Sequence, residues 1–231
     1  MGKAERIARG IYLVAGQGLT DPDDAASFLL LFGDEALLID AGAGSSVSQI
    51  LENVRATGAK PAEIRFLILT HCHIDHSGGA AEIKRRTGCH VIAHQRDADA
   101  IETGDATKTA AGWYGRSLSP VTVDHRLQGL SEGYVFGEEV LYCLHTPGHT
   151  PGSLSVYLDR DGKRILFGQD IHGPFHPAFE SDVSLWRRSM LGLLDLEADI
   201  LCEGHFGIFT GKDEVRDYIA GYLSQYADSP L

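Results

Sequence analysis

The sequence contains few cysteines and few positively charged residues, and each shortage excludes a class of protein. Its 231 residues include four cysteines without framework spacing, so we expect free thiols in a cytoplasmic protein rather than a disulfide scaffold. Lysine and arginine number 20 against 32 aspartate and glutamate residues, which gives a net charge of −12. Because no basic stripe is available to meet a phosphate backbone, nucleic acid is not an expected partner.

Long apolar runs are also missing. No run approaches the roughly 18 residues of a membrane-crossing helix, and the opening Met-Gly-Lys-Ala-Glu-Arg leads into no apolar core of an export signal. We therefore expect a cytoplasmic protein without a membrane partner. No linker-like stretch, low-complexity run or heptad repeat interrupts the chain, which predicts a single domain over residues 1–231.

One short run is rich in metal-ligand side chains. Residues 70–79 read Thr-His-Cys-His-Ile-Asp-His-Ser-Gly-Gly, so His71, His73, Asp75 and His76 fall within six residues. The apolar residues just before the run predict a buried strand, and the serine and glycines after it predict a turn into a helix. Crowded imidazoles repel if they are protonated, and a divalent ion is the usual agent that keeps them neutral and together. The alternation of a strand end lets His71 and His73 close on one ion and turns Cys72 away.

Three further candidates follow β-like runs and lie beside or near glycine, which allows a close backbone approach. His149 lies in Thr-Pro-Gly-His-Thr-Pro-Gly, Asp170 in Phe-Gly-Gln-Asp, and His205 in Glu-Gly-His. Each is a weak signal alone, and their shared placement strengthens all three.

The order His-x-His-x-Asp-His, then a distant His, an Asp and a final His, resembles the metallo-β-lactamase superfamily of metal-dependent hydrolases, in its glyoxalase II and lactonase-like branch. Asp40, which ends a strand in Leu-Ile-Asp-Ala-Gly, matches the early aspartate that supports the ligand loop of this family from behind. Gln169 departs from the pattern, since many members carry glycine before the later aspartate. The resemblance implies a four-layer αββα sandwich of two mixed β-sheets with helices on the outer faces, an α/β (α+β) fold.

The resemblance also implies two divalent metal ions, expected to be zinc, with iron or manganese as alternatives. His71, His73 and His149 would hold the first ion, Asp75, His76 and His205 the second, and Asp170 would bridge them. Asp75 and Asp170 would thereby be the catalytic carboxylates. Because the chain has no Gly-x-Ser-x-Gly motif and no cysteine in an evident catalytic setting, the expected nucleophile is a metal-bridged hydroxide.

Members of the family cleave thioesters, lactones or β-lactams. Glyoxalase II carries an additional helical C-terminal region with basic glutathione contacts, whereas Lys212 and Arg216 are the only cations that follow Gly211 here. A small cytoplasmic hydrolase of thioesters, lactones or related esters is therefore expected. One alternative is a mononuclear iron persulfide dioxygenase, which shares much of the ligand pattern. A non-catalytic metal-binding sensor or effector is the other.

The expected partner is a small-molecule substrate, and a homodimer is possible. The irregular stretch Thr103–Pro120 and the segment Ile171–Ser184 are predicted to flank the metal opening. The predicted pocket residues are Tyr114, His172, Phe175 and His176. The predicted strands are 11–15, 27–32, 36–40, 66–70, 90–93, 140–146, 154–158, 164–168 and 199–202. The predicted helices are 47–57, 79–87, 96–102, 183–194 and 213–224.

Overall fold

The computed structural model describes residues 3–227. Contacts within the chain divide it into two compact units, Met1–Leu127 and Gln128–Leu231. Each unit contains one mixed β-sheet and its own helices. The sequence-based expectation of a single domain stays a prediction.

The first unit is built on a seven-stranded sheet whose spatial order follows the chain order. Strands β1 to β4 pair antiparallel and β4 to β7 pair parallel. The strands are β1 (Glu5–Ala8), β2 (Ile11–Ala15), β3 (Ser27–Phe32), β4 (Glu35–Ile39), β5 (Ile64–Ile68), β6 (His90–His94) and β7 (His125–Leu127). The helices are α1 (Val47–Ala56), α2 (Ile74–Ser77), α3 (Ala80–Thr87) and α4 (Gln95–Thr103), with a 3-10 turn at Pro61–Glu63.

Helix α1 shows why the first unit packs as it does. Val47, Ile50, Leu51 and Val54 recur at the spacing of one helical face and are all buried in the core of this unit. Burial of each such aliphatic side chain contributes about 1.5–3 kcal/mol. Parallel pairing of β4 with β5 puts the carboxyl ends of both strands at one sheet edge. The residues that follow these two strands are therefore neighbours.

The second unit is built on a six-stranded sheet in the order β13-β12-β11-β10-β9-β8. All neighbours pair antiparallel except β11 and β12, which are parallel. The strands are β8 (Ser131–Phe136), β9 (Glu139–His145), β10 (Leu154–Arg160), β11 (Lys163–Phe167), β12 (Ile200–Cys202) and β13 (Ile208–Thr210). Helices α5 (Val183–Leu194) and α6 (Lys212–Gln225) complete the unit, with a 3-10 turn at Pro177–Phe179.

Trp186 is the centre of packing in the second unit. It is fully buried in a cluster with residues of both helices and of strands β11 and β12, and its indole nitrogen donates to the carbonyl of Ile171 at 3.0 Å. Helix α5, which carries Trp186, is capped by Asp182, whose carboxylate accepts from the amide of Leu185 at 2.9 Å. The hydrogen bond from Trp186 to Ile171 therefore connects the loop after β11 to helix α5.

All nine predicted strands and five predicted helices are present, with ends shifted by two residues or fewer. The strands that the pattern did not reveal are β1, β7, β8 and β13, which are short or carry few buried side chains. The turn predicted at Ser77 is instead the end of helix α2. Within residues 3–227, no helix has the length and apolar character needed to cross a membrane.

Candidate metal centre

The ligand-rich run of the first unit lies beyond the carboxyl end of β5. His71, His73, Asp75 and His76 are all buried. The ring centroid of His71 lies 4.6 Å from that of His73 and 4.2 Å from that of His76, and Nε2 of His76 is 3.6 Å from Oδ2 of Asp75. Three imidazoles and a carboxylate are therefore gathered, as the sequence predicted, in a space that excludes solvent.

Asp40 supports this run from the end of the neighbouring strand. Its Oδ1 accepts from the Thr70 amide at 2.8 Å, and its Oδ2 accepts from the Thr70 hydroxyl at 2.8 Å. The same Oδ2 lies 2.7 Å from Nδ1 of His76, and both side chains are fully buried. Asp40 also has a positive φ of 59°, a conformation that costs a non-glycine residue free energy and that these bonds maintain.

The backbone of the run is fixed by residues that sequence reasoning missed. The carboxylate of Asp97, in helix α4, accepts from the amide of Cys72 at 3.0 Å, and the carbonyl of Thr109 accepts from the amide of Ile74 at 2.8 Å. The Cys72 thiol donates to the carbonyl of Lys108. Burial, followed by the nearby Asp97 charge, raises the pKa of Cys72 well above its ordinary value, so the thiol stays neutral at pH 7. Asp97 lies in an ordinary amphipathic helix, and nothing in its sequence context indicates this role.

The second unit contributes three candidate ligands on three separate loops. His149 follows β9, Asp170 follows β11 and His205 follows β12. Oδ2 of Asp170 lies 3.3 Å from Nε2 of His149, and its Oδ1 lies 3.2 Å from Nε2 of His205. One carboxylate thus faces two imidazoles, each through a different oxygen.

The hydrogen bonds of these imidazoles decide which nitrogen faces the carboxylates. Nδ1 of His149 is 2.9 Å from the carbonyl of Pro174, which only accepts, so Nδ1 carries the proton. In a neutral ring, Nε2 then presents a lone pair to the Asp170 oxygen, an arrangement that a cation between the two atoms would stabilise. Nδ1 of His76 donates to Asp40 in the same way, which turns its Nε2 lone pair toward Asp75.

The separations agree with metal ligation. Two ligand atoms about 2.0–2.1 Å from one tetrahedral ion lie about 3.3 Å apart, and the measured pairs of Asp170 are at 3.3 Å and 3.2 Å. The donor set of imidazole and carboxylate is also the one that zinc, iron and manganese accept. The residues of both units therefore fit divalent metal ions.

Glu203 organises the loop that bears His205. Its Oε2 accepts from the backbone amides of His205 at 2.6 Å and Phe206 at 2.8 Å, and its Oε1 is 2.9 Å from Nδ1 of His172. The Glu203 side chain is fully buried. Glu203 stands two residues before His205, but acidic residues are common in solvated loops, so its place in the sequence does not reveal this role.

Two backbone positions show why particular residues stand beside the ligands. Gly148 has a φ of 145°, and a Cβ there would collide with Trp186 of helix α5, so only glycine fits before His149. Gln169 has a φ of 47°, a region that glycine adopts freely. This conformation accounts physically for the glycine that many family members carry at the position of Gln169.

The predicted pocket residues have different environments. Tyr114 is 36% exposed and its neighbour Trp113 is 59% exposed, so neither belongs to the core. Phe175 packs edge-on against Trp186 and Tyr226. His176 is exposed and its Nδ1 accepts from the amide of Ala178, so this side chain caps the 3-10 turn. The assignment of these residues to a pocket stays a prediction.

Side chains able to hold a metal ion are thus found in each unit, and all seven predicted ligands are among them. They are His71, His73, Asp75 and His76 in the first unit and His149, Asp170 and His205 in the second, where His172 joins them.

Comparison with known proteins identifies the class. The profile of the metallo-beta-lactamase superfamily matches residues 20–205, and the chain belongs to this superfamily. It is 31% identical over 209 residues to the probable metallo-hydrolase YflN of Bacillus subtilis, an alignment that covers 77% of each protein. It is 26% identical over 250 residues to the acyl-coenzyme A thioesterase MBLAC2 of Gallus gallus, covering 95% of this chain and 85% of that protein.

A solved structure extends the likeness to the fold. A metallo-β-lactamase of Cronobacter sakazakii, described by the motif HARLDQ, superposes with a TM-score of 0.84 at 27% identity, covering 97% of this chain and 93% of that one. The predicted fold class, two mixed sheets with helices in the metallo-β-lactamase fold, is confirmed. Membership of this superfamily of metal-dependent hydrolases implies divalent metal binding.

Proposed function

We propose that the protein is a binuclear metal-dependent hydrolase that cleaves a thioester, lactone or related ester of a small molecule. The likeness to an acyl-coenzyme A thioesterase over 95% of this chain supports the bond type. The superfamily supports the metal requirement. Zinc is the expected metal, and the cytoplasmic location and possible homodimer are part of the same proposal.

The position of Asp170 is the observation that carries this proposal. Its two oxygens face two different imidazoles at 3.3 Å and 3.2 Å, which is how a carboxylate shared by two ions is placed. A carboxylate that only accepted a structural hydrogen bond would not need both oxygens aimed at imidazole nitrogens. We assign Asp170 as the bridging ligand.

The remaining ligands are divided as superfamily membership implies. His71, His73 and His149 would hold the first ion, and Asp75, His76 and His205 would hold the second. When bound, such a pair supplies a nucleophilic water near neutral pH and polarises the substrate carbonyl. The protein contributes only two carboxylates against the four positive charges of two divalent ions, which leaves the centre electrophilic.

The chain's own residues keep this donor set ready to bind. Asp40 and the Pro174 carbonyl hold the protons of His76 and His149 on Nδ1, so that each Nε2 presents its lone pair for ligation. Burial of the first-unit ligands excludes bulk water from their donor atoms. Glu203 fixes the backbone of the loop that carries His205.

The test combines metal analysis with assays under two atmospheres. Protein purified without added metal is analysed for zinc, iron and manganese, then assayed against acyl-coenzyme A thioesters, acylglutathione thioesters, lactones and simple esters, with and without oxygen. We expect close to two ions per chain and hydrolysis that does not need oxygen, is lost on chelation and returns with zinc. The variant Asp170→Asn should lose activity, whereas Asp195→Asn, an exposed aspartate after helix α5, should not.

Two results would overturn the proposal. One iron per chain with oxygen uptake on a glutathione persulfide would identify the dioxygenase alternative. Two tightly bound ions without turnover of any substrate in the panel would favour the sensor or effector alternative.

A further inference from the structure

His172 has a setting that the seven-ligand pattern does not explain. It lies in the loop after β11, two residues beyond Asp170, and its side chain is 17% exposed. Its Nδ1 lies 2.9 Å from Oε1 of the fully buried Glu203. A carboxylate accepts, so Nδ1 donates and the neutral ring has its lone pair on Nε2.

The same arrangement marks the ligands already described. His76 donates its Nδ1 proton to the Asp40 carboxylate, and His149 donates to the Pro174 carbonyl. A ligating histidine almost always donates its other ring N–H to a carboxylate or backbone carbonyl, which fixes the tautomer and makes the ligating nitrogen more basic. His172 with Glu203 reproduces this carboxylate–histidine arrangement.

Proximity is the second observation. Ligand atoms of Asp170, His172 and His205 all lie within 4.8 Å of one another. The ring centroids of His172 and His205 are 5.1 Å apart in an edge-on arrangement. Ligand atoms of one ion are separated by at most about 4.2 Å, since each lies about 2.1 Å from it. The 4.8 Å bound on these three residues is close to that limit, so His172 is near enough to be considered as a ligand of the same ion.

We propose that His172 is an additional ligand of the ion held by Asp170 and His205, and that Glu203 tethers it. This inference rests on the metal centre of the proposed function. An extra imidazole raises the ligand count of that ion by one. Metals that accept five or six ligands, such as iron and manganese, would therefore compete with zinc better at this position than at a four-coordinate site.

The test measures metal binding rather than turnover. His172→Gln removes the imidazole, and His176→Gln changes an exposed histidine of the same loop as the matched control. We expect His172→Gln to weaken binding of the ion held by Asp170 and His205 by about tenfold or more in chelator competition. It should also lower the number of imidazoles per metal by X-ray absorption and alter the absorption bands of the cobalt-substituted protein. His176→Gln should match the unsubstituted protein in all three measurements.

A second variant keeps the test decisive if His172→Gln folds poorly. Glu203→Gln retains an oxygen for the backbone amides of His205 and Phe206, but its amide group would donate to Nδ1 of His172. The ring proton then moves to Nε2, and the lone pair no longer faces the ion. We expect a cobalt spectrum altered in the same direction as in His172→Gln.

The outcomes separate the two proposals. Unchanged metal affinity, imidazole number and cobalt spectrum in both variants would overturn the assignment of His172 and leave the hydrolase proposal standing. Reduced affinity in both variants, with no ester or thioester cleaved by the unsubstituted protein, would uphold His172 as a ligand while the proposed reaction fails.

Discussion

The two units supply their candidate ligands in opposite ways. In the first unit, one continuous run from His71 to His76 carries them, and helix α2 begins within it. In the second unit, His149, Asp170 and His205 stand on three loops that are far apart in sequence. A continuous run can be held by contacts to one stretch of backbone, such as those of Asp40, Asp97 and Thr109, whereas dispersed ligands need each of three loops to be held separately. The second set should therefore be the more sensitive to changes outside the ligands.

The supporting residues differ accordingly. Asp40 concentrates three hydrogen bonds on one carboxylate behind the first run. In the second unit, different residues support different ligands: the Pro174 carbonyl orients His149, and Glu203 fixes the loop of His205. The Ser181 hydroxyl also donates to the carbonyl of His149 at 2.6 Å. Substitutions in each unit can show whether metal binding depends more on a single supporting carboxylate or on several separate supporting residues.

The largest effect is expected from removal of a ligand in the second unit. Asp170→Ala should abolish binding of both ions and activity together, because its two oxygens face two imidazoles. The loss of activity should exceed the roughly 10–100-fold cost of losing a partner behind a ligand. Metal content after dialysis and kcat/KM are the measurements. Two retained ions with full turnover would remove Asp170 from the centre.

His149 and His205 sharpen the same prediction. His149→Ala should also remove metal and activity together, and His205→Ala should weaken the second ion more than the first. Sequential metal titration separates the two affinities. If His205→Ala weakened binding of both ions equally, that result would contradict the division of ligands that superfamily membership implies.

The next largest effect concerns the loop before His149. Gly148→Ala places a Cβ against Trp186 at a φ that only glycine tolerates, so we expect a loss of about 2–4 kcal/mol in the free energy of unfolding. Gly192→Ala, in helix α5, meets no atom within 4 Å and should gain about 0.5–1 kcal/mol. Denaturant unfolding of the metal-free proteins measures both. Similar stabilities of the two variants would show that the loop can move away from Trp186.

A smaller effect is expected behind the run of the first unit. Asp40→Asn suits the positive φ, which asparagine tolerates, but weakens the bond that fixes the His76 proton. Metal affinity should fall by about 10–100-fold, while the seven ligands remain. The control is Asp34→Asn, an exposed residue between β3 and β4. Chelator competition measures the affinities, and an unchanged value for Asp40→Asn would mean that Asp40 only stabilises the strand ends.

The same contrast explains how much the sequence revealed. The run from His71 to His76 is recognisable because its ligands are adjacent, and the three dispersed ligands became recognisable through their order along the chain. Asp97 and Glu203 could not be identified in advance, because a single acidic residue acquires its role only when folding brings a distant amide or imidazole to it. Strands β8 and β13 escape prediction for other reasons: half of the β8 side chains are exposed, and β13 has only three residues, so neither shows a clear apolar pattern.

The smallest effect is expected at Tyr114, where the site would meet its substrate. Tyr114 belongs to a stretch whose Lys108 and Thr109 carbonyls accept from the ligand run, so the stretch is fixed beside that run. The ring is partly exposed and therefore accessible to a small molecule. Tyr114→Ala should change KM by about tenfold or less, equivalent to about 1.4 kcal/mol, with metal content unchanged. Val135→Ala, at a residue 73% exposed on β8, is the control and should leave both KM and metal content unchanged.

The comparison of Tyr114→Ala with Val135→Ala requires a substrate that the unsubstituted protein turns over. An unchanged KM across several such substrates would place the pocket wall elsewhere, because a side chain that contacts the substrate cannot be removed without altering at least one of them.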